Sequence, residues 1–132
     1  MIMVGRMFAI CAISLGFLFS NPDAQAAQPQ MLPQDKSLEV TVLEDRTLAD
    51  GTREIVVKPS NVCSRKIDVI VKKGVIKSVK FTGGCSGNTQ GVERLVSGMK
   101  VEEAIERLDG IRCGNNPTSC PDQLSRTLKL FF

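Results

Sequence analysis

The chain has 132 residues, 42% hydrophobic and 23% charged, which suits one small globular domain with an N-terminal extension. A net charge of +3 is small and dispersed, and Trp and Tyr are absent, so no direct nucleic-acid binding is expected. His is absent as well, which removes histidine catalysis and leaves any transition-metal site to Cys, helped by Asp or Glu.

Residues 1–26 have the layout of a signal peptide. Arg6 supplies a short positive segment, residues 7–19 (MFAICAISLGFLF) an apolar core, and residues 24–26 (AQA) a small-x-small cleavage pattern. The apolar run is short for a membrane span, and Cys11 lies inside it as one more apolar residue. Export is the expectation, or membrane anchoring through this segment if it is uncleaved; a start at Met31 would instead leave a cytoplasmic protein. Residues 27–36 are a polar, Pro- and Gln-rich linker, and 37–132 a single domain.

The domain opens with two predicted strands, 38–45 and 53–58, turned by residues 49–51 (ADG). Residues 65–81 form a second hairpin. Ile67, Val69 and Val71 share one face of its first strand, and Val79 and Phe81 one face of its second. The turn is at Lys73-Gly74, where Gly allows a positive φ. Keeping both apolar faces on the same side requires paired positions of like parity, numbers summing to about 146–148. That register, carried outward, brings Cys63 beside Cys85.

Three helices follow. Val92, Leu95, Val96 and Met99 stripe the first, 88–99, and Val101, Ala104, Ile105 and Leu108 the second, 101–110. Ser119 and Asp122 have the spacing of a capping box, with Pro121 in the first turn, so the last helix starts at Cys120 and buries Leu124, Leu128 and Phe131. The fold class is therefore α+β: a small antiparallel sheet of three to four strands, followed by three helices packed on one face. At the first turn of a helix, unpaired N–H groups and the positive end of the dipole favour a nucleophilic or ligating Cys120.

Four cysteines remain in the domain: Cys63, Cys85, Cys113 and Cys120. Cys63 and Cys85 meet at the open end of the hairpin, and Cys120 lies in a loop free to approach them. The glycines around Cys85 (GGCSG, 83–87) free the backbone to approach a bound ion or a charged sulphur. The four thiols can serve as metal or cluster ligands, as a redox dithiol, as two disulfides of an exported protein, or as inert apolar side chains. No tight C-x-x-C is present.

The segments VCS (62–64), GGCSGN (83–88), GMKVEEAIERL (98–108) and IRCGNNPTSCPDQ (111–123) resemble the TSCPD-domain family over about residues 54–132. Members are small stand-alone bacterial proteins or the C-terminal module of adenosylcobalamin-dependent ribonucleotide reductases. The resemblance implies a link to ribonucleotide reduction and DNA synthesis, an oxidoreductase label of the ribonucleoside-diphosphate reductase class, and a reductase or other redox protein as partner. A domain of this size is too short to shield a radical and bind a nucleotide in a large barrel, so an accessory or electron-delivering role is expected. Neither a P-loop nor G-x-G-x-x-G occurs, and nucleotide binding is implied by the family alone. Relative to the family pattern the chain adds the expected export signal and an expected extra N-terminal hairpin strand, and Asn61 stands where Gly is expected, an exchange that keeps a positive φ accessible.

The order of Cys63, hairpin, FTGGCSG (81–87), helix and Cys120 is also similar to the U-type iron–sulphur cluster scaffold proteins. That resemblance implies a similar fold, with Cys63, Cys85 and Cys120 ligating zinc or an iron–sulphur cluster and Cys113 as candidate fourth ligand. Ser64 follows Cys63, and the scaffold's usual Asp near its first cysteine has no counterpart. The expectation is a metal-binding or redox-active module; the alternatives are an iron–sulphur or zinc scaffold or carrier, and an exported, disulfide-stapled binding module without catalysis.

Overall fold

The computed structural model describes residues 38–132; the expected signal peptide and the linker lie outside the described residues. Strands β1 (Thr41–Thr47), β2 (Thr52–Lys58), β3 (Ser64–Lys72) and β4 (Val75–Gly83) precede helices α1 (Ser86–Val96), α2 (Val101–Leu108) and α3 (Cys120–Phe131). The strands form an antiparallel meander in the order β1-β2-β3-β4, the α+β arrangement expected from the sequence. β1 begins and ends later than the predicted 38–45 and is exposed along its whole length.

The parity argument is met in the β3–β4 hairpin, where Ile67 pairs with Phe81 and Val69 with Val79. Lys73 (φ 52°) joins Gly74 (φ 70°) in the left-handed region, giving the twist that a two-residue hairpin turn needs. Two bulges then re-aim side chains. Near the turn, Lys77 is unpaired, which shifts Ile76 onto the same buried face as Val79. At the open end, Arg65 is unpaired, and Ser64 turns inward, 3% exposed.

One face of the sheet carries the core: Ile55, Val57, Ile67, Val69, Val71, Ile76, Val79 and Phe81, met by Val96, Val101, Ala104, Leu124 and Leu128 from the helices. α1 packs on β4 and α2 on α3. The α1–α2 connection also supplies main-chain hydrogen bonds to the edge of β4, from Gly98 N–H to Ile76 O and Ile76 N–H to Met99 O, covering part of an edge that would otherwise be open. No helix among the described residues is long and apolar enough to cross a membrane.

The helix boundaries differ from the expectation. α1 starts at Ser86 rather than 88 and ends at Val96. Leu95, expected on the buried stripe, is 74% exposed, and the inward positions belong to Thr89 and Val96. α2 ends at Leu108, ahead of the predicted 110. In α3 half of the buried residues are polar: Asp122, Gln123, Ser125 and Thr127 are as fully buried as Leu124 and Leu128.

Candidate functional site

The early start of α1 makes Cys85 its N-cap residue, with no side-chain cap hydrogen bond of its own. Cys120 is the first residue of α3, following Ser119, whose Oγ accepts from Asp122 N–H at 3.2 Å. Cys63 ends the β2–β3 connection, just ahead of the inward-turned Ser64. That connection passes through Asn61 at φ 54°, the positive value inferred from its place in the motif. The three cysteines thus arrive from a strand entry and two helix N-termini, whose dipoles both present their positive ends to the sulphurs.

Cys63 Sγ and Cys120 Sγ lie 3.8 Å apart, and Ser64 Oγ donates to Cys120 Sγ at 2.8 Å. Cys85 faces Cys63 with both its backbone N–H and its thiol. Close approach depends on Gly84, at φ +86°: a Cβ there would stand 2.8 Å from Ser64 Oγ, 3.0 Å from Thr89 Cγ2 and 3.6 Å from Cys120 Sγ. Cys63 and Cys85 are exposed, whereas Cys120 is 6% exposed.

This difference in setting divides the thiols. Partial burial pushes the Cys63 pKa up, but hydrogen bonds from Cys120 and Cys85 outweigh it and hold Cys63 below the ordinary thiol value. Cys85, which donates to Cys63 and feels its charge, is pushed up. Cys120 is also pushed up, because burial outweighs the hydrogen bonds from Ser64. The helix N-terminus favours a thiolate at Cys120, but burial acts against it there. Of Cys63, Cys85 and Cys120 the favoured anion is Cys63, and Cys120 serves as its donor.

Cys113 is exposed and stands in a tight turn, with Asn116 N–H donating to Cys113 O and Cys113 N–H to Thr118 O. It acts on Cys85 through charge but does not join the hydrogen-bonded set of Cys63, Cys85 and Cys120. Among the described residues, no group of three His, Cys, Asp or Glu side chains is assembled to hold a metal ion. One sulphur pair nevertheless fits such a group: sulphurs bound at about 2.3 Å to a tetrahedral Zn²⁺ lie about 3.8 Å from each other, the distance between Cys63 and Cys120.

The residues behind the site are polar and satisfied. Asp122 accepts from Gly110 N–H (2.8 Å), Thr118 Oγ1 (2.6 Å) and Arg126 Nε (2.7 Å), so its carboxylate does not make the reciprocal half of a capping box. Burial raises its pKa, and those three donors together lower it below the ordinary value. Gln123 accepts from Ser60 N–H at 2.9 Å and donates to Leu38 O (3.0 Å) and Thr118 Oγ1 (3.1 Å). Asn116 Nδ2 donates to Asn61 O. Neither Gln123 nor Asn116 stands out in the sequence beyond its place in the motif, because their partners Ser60, Leu38 and Asn61 are distant in the chain.

A family model described as TSCPD domain matches residues 44–132, more than half of the chain, beginning inside β1 and so taking in most of the first hairpin. No curated protein and no solved structure matches the chain.

Proposed function

The chain belongs to the TSCPD-domain family, and on that footing we propose that it is a thiolate metal-binding module in which Cys63 and Cys120 are the first two ligands. Cys85 is the third and Cys113 the candidate fourth. The family is one linked to ribonucleotide reductases, and the proposed role is accessory to such an enzyme or to another redox protein, in a form exported or anchored by residues 1–26. The observation that carries the reading is the 3.8 Å separation of Cys63 and Cys120, which matches one edge of a tetrahedral sulphur site.

The donor chemistry agrees. With no His in the chain, an all-sulphur set selects Zn²⁺ or an iron–sulphur cluster over harder ions. The two helix N-termini offset part of the negative charge that several thiolates bring. A bound ion would supply a cross-link between β3, α1 and α3, adding folding free energy to a small core. Cys63 and Cys120 are already in contact and Cys85 is hydrogen-bonded to Cys63, while Cys113 stands outside that set. Anaerobic purification followed by metal analysis, a visible spectrum and a thiol count on one sample tests the proposal. One zinc or a cluster chromophore per chain supports it; metal-free protein whose melting is unchanged by chelator contradicts it.

A redox dithiol is the second reading, favoured by the pairing of an exposed Cys63, held below the ordinary thiol pKa, with a buried Cys120. The Cys63 thiolate would attack a disulfide of a partner protein and release one partner thiolate. Cys120 would then lose its proton and displace the second, leaving a Cys63–Cys120 disulfide and a reduced partner. A metal-free sample that reduces protein disulfides and loses two thiols in doing so would favour this reading over the first.

A further inference from the structure

We propose that Gln123 and Asn116 form a two-amide clamp that sets the separation of Cys63 from Cys120, which makes both of them positioning residues of the thiol site. The inference rests on the thiol-site reading above and assigns the residues that hold its geometry.

Cys63 and Cys120 belong to segments that share no secondary-structure pairing. Cys63 follows the irregular connection after Lys58, and Cys120 follows the loop after Leu108. Two side-chain amides join these segments. From inside, Gln123 sits one turn along α3 from Cys120 and is fully buried. Its Oε1 takes Ser60 N–H from the Cys63 connection, and its Nε2 gives one proton to Thr118 Oγ1 in the Cys120 loop and the other to Leu38 O. From outside, Asn116 Nδ2 donates to Asn61 O, the residue whose positive φ turns the chain toward Cys63. Asn116 itself is held to the Cys120 loop by Thr118 N–H, at 3.4 Å, and by its own N–H on Cys113 O. The two amides therefore grip consecutive residues, Ser60 and Asn61, one from a fully buried and one from a half-buried position. An amide is required at each place because the same side chain must both accept and donate; a carboxylate or an aliphatic group of equal size cannot.

Isosteric variants test the clamp. Asn116→Asp keeps the acceptor for Thr118 N–H and puts a carboxylate oxygen against Asn61 O; Gln123→Glu does the same against Leu38 O. The direct readout is capture by phenylarsine oxide, which bonds to two sulphurs at once with loss of one water. Mass spectrometry of peptides from the full chain identifies the Cys63–Cys120 adduct. Single-thiol alkylation of Cys63 by iodoacetamide reports reactivity without pairing. In folded Asn116→Asp protein, bridging slows about 10-fold relative to Cys63 alkylation, and zinc affinity, read by competition with a chromogenic chelator, falls about 10–100-fold, the range for residues that orient ligands. A bridging-to-alkylation ratio equal to the parent's overturns the clamp, whatever the zinc affinity. If Gln123→Glu does not fold, Asn116→Asp alone decides, since Asn116 is only half-buried. If the parent binds no zinc, the metal reading fails while the bridging ratio still decides the clamp.

Discussion

Replacing Asp122 with Ala removes a side chain that is 0% exposed and leaves the buried Thr118 hydroxyl without its acceptor. Gly110 N–H also loses its partner, though Gly110 is exposed and water replaces part of that bond. Arg126 is 31% exposed and can turn to solvent, so its ion pair contributes little to the difference. An unsatisfied buried donor costs about 1–3 kcal/mol and a partly hydrated one less, so Asp122→Ala should lose about 2–4 kcal/mol. For a domain of this size that is a fall in melting temperature of roughly 10–25 °C. Asp122→Asn retains one acceptor and should lose about half as much. The same carboxylate has a definite pH signature. Its folded pKa is depressed, so its contribution is complete above the unfolded value of about 3.9 and is lost as pH falls through the lower folded value. Urea denaturation of parent and Asp122→Ala protein, at pH 7 and in steps below pH 4, measures both. A loss under about 1 kcal/mol at pH 7, or a gap that does not narrow in acid, would refute the reading that the Asp122 carboxylate stabilises the fold as the acceptor for Thr118 and Gly110.

Gly84→Ala should destabilise the fold by about 1–3 kcal/mol and lower metal retention, because it combines a positive φ with a 2.8 Å contact on Ser64 Oγ; equal melting and metal content would contradict the close-packed site. Gly87→Ala, in α1 with open space around its Cβ, should instead stabilise by about 0.4–1 kcal/mol, which thermal melting of the two variants side by side will check. In metal-free protein, alkylation followed site by site as pH rises should label Cys63 ahead of Cys85 and Cys120, since of these three Cys63 is held below the ordinary thiol pKa and the other two above it. Prior labelling of Cys120 would contradict that ordering.

What the sequence makes legible follows from how local each cause is. The β3–β4 register is readable because Ile67, Val69, Val79 and Phe81 alternate and Gly74 marks the turn, so the meeting of Cys63 and Cys85 could be deduced. The Ser119 cap is equally local. The two-residue earlier start of α1 is hidden because Gly87 is a poor helix former, although the helix packs on β4. Leu95 misled the stripe because Thr89, whose hydroxyl bonds back to Cys85 O and Ser86 O, occupies the inward position instead. The turning of Ser64 toward Cys120 depends on a bulge at Arg65, which no alternation pattern records. The largest gap is the polar run Thr118–Thr127. The sequence shows only a cap and a first turn there, yet Thr118, Asp122, Gln123, Ser125 and Thr127 are fully buried, each satisfied by a partner distant in sequence or on the next turn. Polar pairing of this kind leaves no apolar periodicity to read.

The central claim is that Cys63 and Cys120 are two ligands of one ion. Zinc and iron content per chain, measured on anaerobically purified parent, Cys63→Ser and Cys120→Ser proteins, tests it most directly. The account predicts about one equivalent of zinc, or a cluster's complement of iron, in the parent and a loss of at least tenfold in retained metal in each variant. Parent protein that is folded and metal-free, or variants that retain the full complement, would contradict it.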